Sequence, residues 1–257
     1  MELNFKGDKL SVNLIDEGNG EAVVVLHGWG ARADIYRTVI NPLTSHYRVI
    51  VPDFPGFGKT TEPSFAYSIE DYADFVCALL EELGIKKAHL IGHSHGGRTC
   101  LELATGSYGF EISKIVLLDS AGIPVKKKFS KRVKIRTYKI LKGVVTIPVV
   151  KKMFPDALDS LKKKFGSSDY AAASDIMRQS MVKVLPCDYT AKLSLIKNPT
   201  LLIWGENDGD TPLSCAGVLE KGITDCGLVT IPKAGHFAFA EAPVLTANVL
   251  KSFFNIK

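Results

Sequence analysis

Short runs of β-branched and apolar residues alternate along this chain with segments of helical periodicity, and this alternation constrains the fold more than any other feature. Strands that are separated by helices build a mostly parallel sheet with helices on both faces. The sequence therefore predicts an α/β architecture with a doubly wound sheet. The predicted strands cover residues 22–26, 47–51, 88–91, 114–118, 200–204 and 227–231.

Two local signals support this reading near the N-terminal end. Gly7-Asp8 lies between apolar runs at 3–5 and 10–15, and it predicts an antiparallel hairpin at the sheet edge. The clearest helix is predicted over 68–83, with Ser68 as its N-cap and Gly84 as its stop.

The strand pattern is interrupted between residues 123 and 190 by a lysine-rich, helix-prone stretch. This stretch has 16 basic and 5 acidic side chains, a net charge of +11, whereas the remainder carries a net charge of −6. The overall charge of +5 therefore conceals a strongly polarised molecule. We expect a core domain formed by residues 1–122 and 191–257, with a helical insertion at 123–190.

The composition is that of an ordinary globular protein, with 46% hydrophobic and 23% charged residues in 257. The N-terminal residues lack the features of a secretory signal, and no apolar run approaches the roughly 18 residues that suggest a membrane span. Five widely spaced cysteines without a Cys-x-x-Cys pair argue against a disulfide framework or a zinc site. We expect a cytoplasmic protein with reduced thiols and no membrane span.

A Gly-x-Ser-x-Gly pattern, residues 92–96, follows a predicted strand and precedes a helix-prone stretch. In this context the pattern is typical of a nucleophile elbow, a sharp strand-to-helix turn with the serine at its apex. The turn strains the backbone of the serine, and glycines at the two flanking positions avoid collisions with neighbouring backbone. Ser94 is therefore the predicted nucleophile, and Gly92 and Gly96 are the elbow glycines.

A serine hydroxyl is a poor nucleophile without a histidine base beside it. Among the six histidines, His236 lies in a loop after the predicted strand 227–231, where its imidazole could reach the end of the sheet. His27 is expected to hydrogen-bond loop backbone, and His93 and His95 are expected to point away from the serine. His236 is therefore the predicted base.

The base in turn needs a carboxylate that orients its ring. Asp208 lies in the loop that leaves the buried predicted strand 200–204, and we predict it as this acid. Two alternatives remain: Asp210, two residues further on, and Asp119, which also follows a strand end.

Acyl transfer through a serine also needs donors for the oxyanion that forms at the carbonyl. The backbone N–H of the residue after the nucleophile is one donor, and an N–H from an earlier strand-following loop is the other. These are predicted to be the amides of His95 and Trp29, the latter lying between two glycines.

Together these motifs resemble those of the α/β-hydrolase superfamily, and the resemblance covers nearly the whole chain outside the insertion. It implies an eight-stranded sheet, a helical cap over the active site formed by residues 123–190, and no cofactor or metal. Position 95 departs from many relatives, which carry an apolar residue where this chain has histidine. The matching motifs are HGWG at 27–30, PDFPGFG at 52–58, GHSHGG at 92–97, IWGENDGDTP at 203–212 and AGHFAFAEAP at 234–243.

The resemblance and the triad predict a cofactor-independent serine hydrolase that cleaves a carboxylic ester through an acyl-enzyme. A thioesterase and a hydrolase of carbon–carbon bonds in β-diketone-like substrates use the same triad and stay open. Dehalogenases and epoxide hydrolases are disfavoured, because they need an aspartate at position 94. From another class, a non-catalytic ligand-binding protein of this fold is the remaining alternative.

The expected partner is a small-molecule ester or acyl substrate. Lysines of the 123–190 insertion serve solubility in one interpretation and attract an acidic carrier protein in the other. Nucleic acid is not expected, because no nucleic-acid-binding motif accompanies the charge. The substrate and the oligomeric state are not determined by the sequence.

Overall fold

The computed structural model describes residues 1–125, 143, 170 and 172–256 of the chain. The predicted insertion at 123–190 lies largely outside the described residues. The domain boundaries at 122 and 191 therefore stay a prediction.

Seven strands in the described residues form one sheet, in the order β3-β5-β4-β6-β7-β8-β9. Strands β3 and β5 pair antiparallel, and all other neighbours are parallel. Parallel strands end at a common edge, so the loops after β4, β6, β7 and β8 lie near one another. The strands are β3 (Leu14–Glu17), β4 (Ala22–Leu26), β5 (Arg48–Pro52), β6 (Lys87–His93), β7 (Glu111–Leu118), β8 (Thr200–Gly205) and β9 (Cys226–Ile231).

Strand β4 shows why the sheet is covered on both faces. All five of its residues are buried, as expected for a central strand of a parallel sheet. Val24 and Leu26 belong to the hydrophobic core on one face, and Val23 and Val25 belong to the core on the other. This alternation follows from the two-residue period of a strand.

Helices pack on both of these faces, and the predicted doubly wound architecture is confirmed. One face carries α2 (Ile69–Glu82), α3 (His95–Thr105) and α5 (Leu213–Gly222). The opposite face carries α1 (Arg37–Ile40), α6 (Ala238–Glu241) and α7 (Pro243–Phe253). A further described helix, α4 (Asp175–Val184), lies within the predicted insertion.

Helix α2 illustrates how local sequence determines an element. Ser68 accepts a hydrogen bond from the amide of Asp71, and the Asp71 carboxylate accepts one from the amide of Ser68. This capping box fixes the start of the helix. Gly84, with φ of 69°, follows its end, so the predicted helix 68–83 is confirmed to within one residue.

Within the described residues the sheet has seven strands, one fewer than the eight that the resemblance implied. Strands β1 (Glu2–Phe5) and β2 (Asp8–Ser11) form the predicted hairpin, but they pair only with each other. The predicted strand 10–15 is divided at Asn13, whose amide donates to Thr60 Oγ1 and whose side chain donates to Asp53. These bonds redirect the chain, so that β3 and not the hairpin forms the sheet edge.

No helix in the described part of the chain is both long enough and apolar enough to cross a membrane.

Candidate active site

Ser94 lies at the junction of β6 and α3 in a conformation that a non-glycine residue rarely adopts. Its φ is 50° and its ψ is −111°. Its amide donates to the carbonyl of Leu118 at the end of the neighbouring strand, at 3.1 Å. The strain expected at the apex of an elbow is therefore present at the predicted residue.

The two elbow glycines lie where any side chain would collide with backbone. A Cβ at Gly92 would lie 2.5 Å from the carbonyl oxygen of Gly96. A Cβ at Gly96 would lie 2.0 Å from the carbonyl oxygen of Leu26, at the end of β4. Glycine at both positions lets α3 begin directly against the sheet.

The structure brings together the three side chains predicted as a triad. His236 Nε2 lies 3.0 Å from Ser94 Oγ, and His236 Nδ1 lies 2.8 Å from Asp208 Oδ2. With Nδ1–H donating to the carboxylate, Nε2 is free to accept the serine proton. The three residues come from loops after three different strands, and 142 positions separate Ser94 from His236.

Asp208 is held by its own loop as well as by His236. Its Oδ1 accepts hydrogen bonds from the amides of Asp210 and Thr211, at 2.8 and 2.9 Å. Its Oδ2 accepts from the Thr211 hydroxyl at 2.7 Å. Burial raises the pKa of Asp208, but these bonds and the one from His236 outweigh it, and the pKa is lowered overall. These hydrogen bonds therefore favour the ionised form of Asp208 and fix the orientation of its carboxylate.

Asp119 does not contact the imidazole of His236 but binds the backbone on both sides of the triad loops. Its carboxylate accepts from the amide of Gly205 at 2.8 Å and from the amide of Ala238 at 3.1 Å. Its backbone φ is 42°, and burial raises its pKa to about 7. Of the carboxylates considered from sequence, only that of Asp208 hydrogen-bonds to His236 among the described residues.

The pKa of His236 reflects two opposed effects. Burial lowers it, but the hydrogen bond and the charge of Asp208 raise it, and the result is a pKa above the ordinary value of 6.5. A pKa above the ordinary value makes the imidazole of His236 a stronger proton acceptor than a free imidazole.

His93 supports the base through a contact that sequence reasoning missed. Tyr36 accepts a hydrogen bond from the amide of Gly28 at 3.0 Å, so its hydroxyl proton is available to His93 Nδ1 at 2.8 Å. His93 Nε2–H then donates to the carbonyl oxygen of His236, also at 2.8 Å. Burial lowers the pKa of His93 to about 3, which keeps the ring neutral in this arrangement. No local pattern around position 93 signals a contact 143 residues away.

His27 has the role expected of it. Its Nδ1 hydrogen-bonds the carbonyl oxygen of Gly28 at 2.7 Å, and its Nε2 accepts from the amide of Phe54 at 2.8 Å. Burial lowers its pKa to about 4. It therefore ties the loop after β4 to the loop after β5.

The two amides predicted as oxyanion donors are those of His95, which follows Ser94 in the chain, and of Trp29, in the loop after β4. His95 is the first residue of α3, where backbone N–H groups have no intrahelical partner. The amide of Trp29 makes no hydrogen bond within the described residues. The preceding residue, Gly28, approaches Ser94 so closely that an added Cβ would lie 3.3 Å from the serine Cβ.

The imidazole of His95 turns away from Ser94 into a group of aromatic rings. Its ring centroid lies 5.4 Å from Trp29, 5.5 Å from Phe54 and 4.7 Å from Tyr72. Burial lowers its pKa well below the ordinary value. His95 therefore offers its backbone to the site while its ring stays neutral beside it.

Within the described ranges, no three His, Cys, Asp or Glu side chains are grouped so that they could hold a metal ion.

A mostly parallel sheet with a strained serine at the β6–α3 turn is characteristic of the class of α/β hydrolases. The chain belongs to the family described as alpha/beta hydrolase fold, whose profile matches residues 21–243. The superfamily expected from the sequence motifs is thereby confirmed.

Individual relatives include enzymes with different substrates. A 2-hydroxy-6-oxononadienedioate/2-hydroxy-6-oxononatrienedioate hydrolase of Paraburkholderia phymatum is 31% identical, over 90% of this chain and 86% of that protein. A serine hydrolase involved in carbazole degradation has a similar structure, with a TM-score of 0.73, 26% identity and coverage of 100% and 98% of the two chains. An N-acyl homoserine lactone degrading enzyme shares the fold, with a TM-score of 0.75, 24% identity and coverage of 98% and 100%.

Proposed function

We propose that this protein is a serine hydrolase in which Ser94 is the nucleophile, His236 the general base and Asp208 the orienting acid. The observation that carries the proposal is the continuous hydrogen-bonded chain from Ser94 Oγ through both nitrogens of His236 to Asp208 Oδ2, at 3.0 and 2.8 Å. A strained serine at the start of a helix adds to it, because strain is retained where function needs it.

The proposed reaction proceeds in two halves. Ser94 Oγ attacks the substrate carbonyl as its proton passes to His236 Nε2, and the amides of Trp29 and His95 bind the oxyanion. His236 then gives this proton to the leaving group, which leaves an acyl-enzyme. Water, deprotonated by His236, attacks the acyl carbonyl, and the proton returns to Ser94 as the acid departs. Asp208 stabilises the imidazolium that forms in both halves.

A carboxylic ester is our first proposal for the substrate, since nothing beyond the triad and the oxyanion donors is needed to cleave one. A thioester requires the same groups. A carbon–carbon bond beside a ketone is the second candidate, and the 31%-identical relative favours it. The compound in that relative's name has an enol and a ketone but no ester, so its hydrolysis breaks a carbon–carbon bond.

The triad proposal is tested with Ser94→Ala in an assay with p-nitrophenyl butyrate and by labelling with a fluorophosphonate. Wild type should turn over the ester and become labelled once, whereas Ser94→Ala should do neither and should unfold at an unchanged temperature. Ser107→Ala is the matched control, because this exposed serine follows α3 and belongs to no part of the site. Labelling of Ser94→Ala, or its retained turnover, would refute the proposal.

The type of bond is tested by a panel in which esters, thioesters and a 2-hydroxy-6-oxo-dienoate are compared by kcat/KM. An ester hydrolase should prefer the first group by at least tenfold. A non-catalytic binding protein should show neither labelling nor turnover with any member of the panel.

The acidic carrier protein stays a prediction, since most of the basic 123–190 segment lies outside the described residues. Its test is the salt dependence of hydrolysis of a carrier-linked acyl group compared with the free ester. Equal rates and no salt dependence would contradict it.

A further inference from the structure

Arg98 is a buried cation whose charge has no counterpart in the described part of the chain. It lies one turn after Ser94 in α3, with its amide bonded to the Ser94 carbonyl, and its side chain is only 8% exposed. Its buried Nε has no hydrogen-bond partner, and no described carboxylate lies within ion-pair distance of its guanidinium. Burial lowers the pKa of Arg98, and Cys187 and Tyr189 act on it in the opposite direction.

The acidic residue of α3, Glu102, forms its hydrogen bonds with other side chains than that of Arg98. Glu102, one turn further along α3, accepts hydrogen bonds from the hydroxyls of Tyr108 and Tyr189, at 2.9 and 2.7 Å. Both oxygens of Glu102 thus accept hydrogen bonds from tyrosines, although the spacing of four residues would allow a pair with Arg98. Glu102 therefore forms no ion pair with Arg98, although both lie on α3.

A second buried side chain in this region, that of His95, also lacks hydrogen-bond partners among the described residues. It lies three residues before Arg98, on the same side of α3, and neither of its ring nitrogens has a partner among the described residues. Side chains of a helix lean toward its N-terminus, so Arg98 leans toward the turn that contains Ser94 and His95. Two buried side chains thus have ring or guanidinium nitrogens without partners among the described residues, one directly after Ser94 and the other one turn further along α3, and this requires an explanation.

Leaving a buried guanidinium unpaired is costly, and an anion that binds there removes the cost. We propose that Arg98 is a subsite for a carboxylate of the substrate, so that this hydrolase selects acyl substrates that carry a second, anionic end. A carboxylate fits better than a phosphate, because its single negative charge and its two oxygens match one guanidinium. The positive end of α3 also favours an anion on this side. This substrate preference rests on the proposed serine hydrolase function.

The test compares mono-p-nitrophenyl adipate and suberate with the corresponding neutral terminal amides. Wild type should have a higher kcat/KM for the carboxylates. Arg98→Gln should lower the ratio of carboxylate to amide kcat/KM by about 10- to 100-fold, mainly through KM. Arg98→Lys should restore part of the ratio, because lysine keeps the charge but not the two-pronged geometry.

Lys192→Gln is the matched control for net charge, since Lys192 is exposed and lies over the ring of Tyr189 at 5.8 Å. It should leave the ratio within twofold of wild type. A wild-type preference for the neutral amides would overturn the proposal without any variant. An equal loss with both substrates in Arg98→Gln would also overturn it and indicate a packing role.

A binding experiment separates this proposal from the function on which it depends. In Ser94→Ala, which performs no chemistry, adipate should raise the melting temperature, and adding Arg98→Gln should abolish the rise. If adipate binds in this way but no ester is cleaved by wild type, the serine hydrolase proposal fails while the carboxylate subsite stands. If Ser94 is labelled and esters are cleaved but adipate produces no shift, the subsite is wrong.

Discussion

The carboxylate of Asp119 accepts a hydrogen bond from the amide of Ala238, two residues beyond the base His236, at 3.1 Å. Its other oxygen accepts from the amide of Gly205, which begins the loop that leads to Asp208. One buried side chain thus connects the loops of the acid and the base, although it touches neither reacting atom. Asp119 is a positioning residue in this arrangement.

Replacing Asp119 by alanine should therefore weaken both the fold and the catalysis. Two buried amides lose their acceptor, and at about 1–3 kcal/mol each the free energy of unfolding should fall by about 2–6 kcal/mol. Urea denaturation measures this loss, and kcat should fall more than KM rises. Asp34→Ala removes an exposed carboxylate that pairs with Arg32, and it should cost less than about 1 kcal/mol. Similar losses in the two variants would contradict the role of Asp119.

Thr211 should matter through its hydroxyl, which hydrogen-bonds Asp208 Oδ2 at 2.7 Å. Thr211→Val keeps the shape but removes this bond to a charged group, so kcat should fall about 10-fold. Thr211→Ser should retain most of the activity. Thr246→Val is the control, because its buried hydroxyl has no partner among the described residues. A fall in kcat for Thr246→Val as large as that for Thr211→Val would show that the bond is not the cause.

The acid limb of the pH–rate profile should report His236. The base must be neutral to act, and its pKa is raised above 6.5, so kcat/KM should fall tenfold per pH unit below a midpoint that lies above 6.5. Asp208→Asn removes the bond and charge that raise this pKa, so the midpoint should move down and kcat should fall by about 10³- to 10⁴-fold.

Asp210→Asn is the comparison for this profile, because Asp210 acts on His236 only through its charge. Asp210→Asn should move the midpoint of the acid limb less than Asp208→Asn does, and it should retain most of the wild-type kcat. If Asp210→Asn were as damaging as Asp208→Asn, the assignment of the acid would have to change.

Two glycine-to-alanine changes, one in the elbow and one in α5, should have opposite effects on the free energy of unfolding. At Gly96 the added methyl would lie 2.0 Å from the Leu26 carbonyl oxygen, so unfolding free energy should fall by about 3 kcal/mol or more. At Gly217, inside α5, nothing lies within 4 Å of the added methyl, so Gly217→Ala should gain up to about 1 kcal/mol. Urea midpoints of the two variants check both signs, and a stable Gly96→Ala would contradict the close approach of α3 to β4.

Features encoded by neighbouring residues could be predicted from the sequence. Strand β4 has the predicted bounds, and α2 begins after the capping residue Ser68 because the capping box needs only residues 68–71. The Ser94 elbow was recognisable since its glycines, strand and helix are contiguous. Chain order and strand ends also indicated which histidine and aspartate the structure brings to Ser94.

Features that depend on distant contacts could not be predicted in this way. The sequence indicates Asp119 only as an alternative to Asp208. Its positioning role depends on a hydrogen bond to Ala238, which lies 119 positions away in the chain. Thr211 has only a weak signal in the sequence, its position three residues after Asp208. The lack of partners around Arg98 is visible only once Glu102 is seen to bind two tyrosines from other segments.

The burial of the other imidazoles near Ser94 has a consequence for how the site can be observed. The pKa values of His27, His93 and His95 all lie below the neutral range, so these rings stay uncharged there. His236 is then the one ring of the four that changes charge near neutral pH. One imidazole resonance in this cluster should accordingly titrate, with a midpoint above 6.5. The titration of His236 can therefore be followed without a contribution from the other three imidazoles.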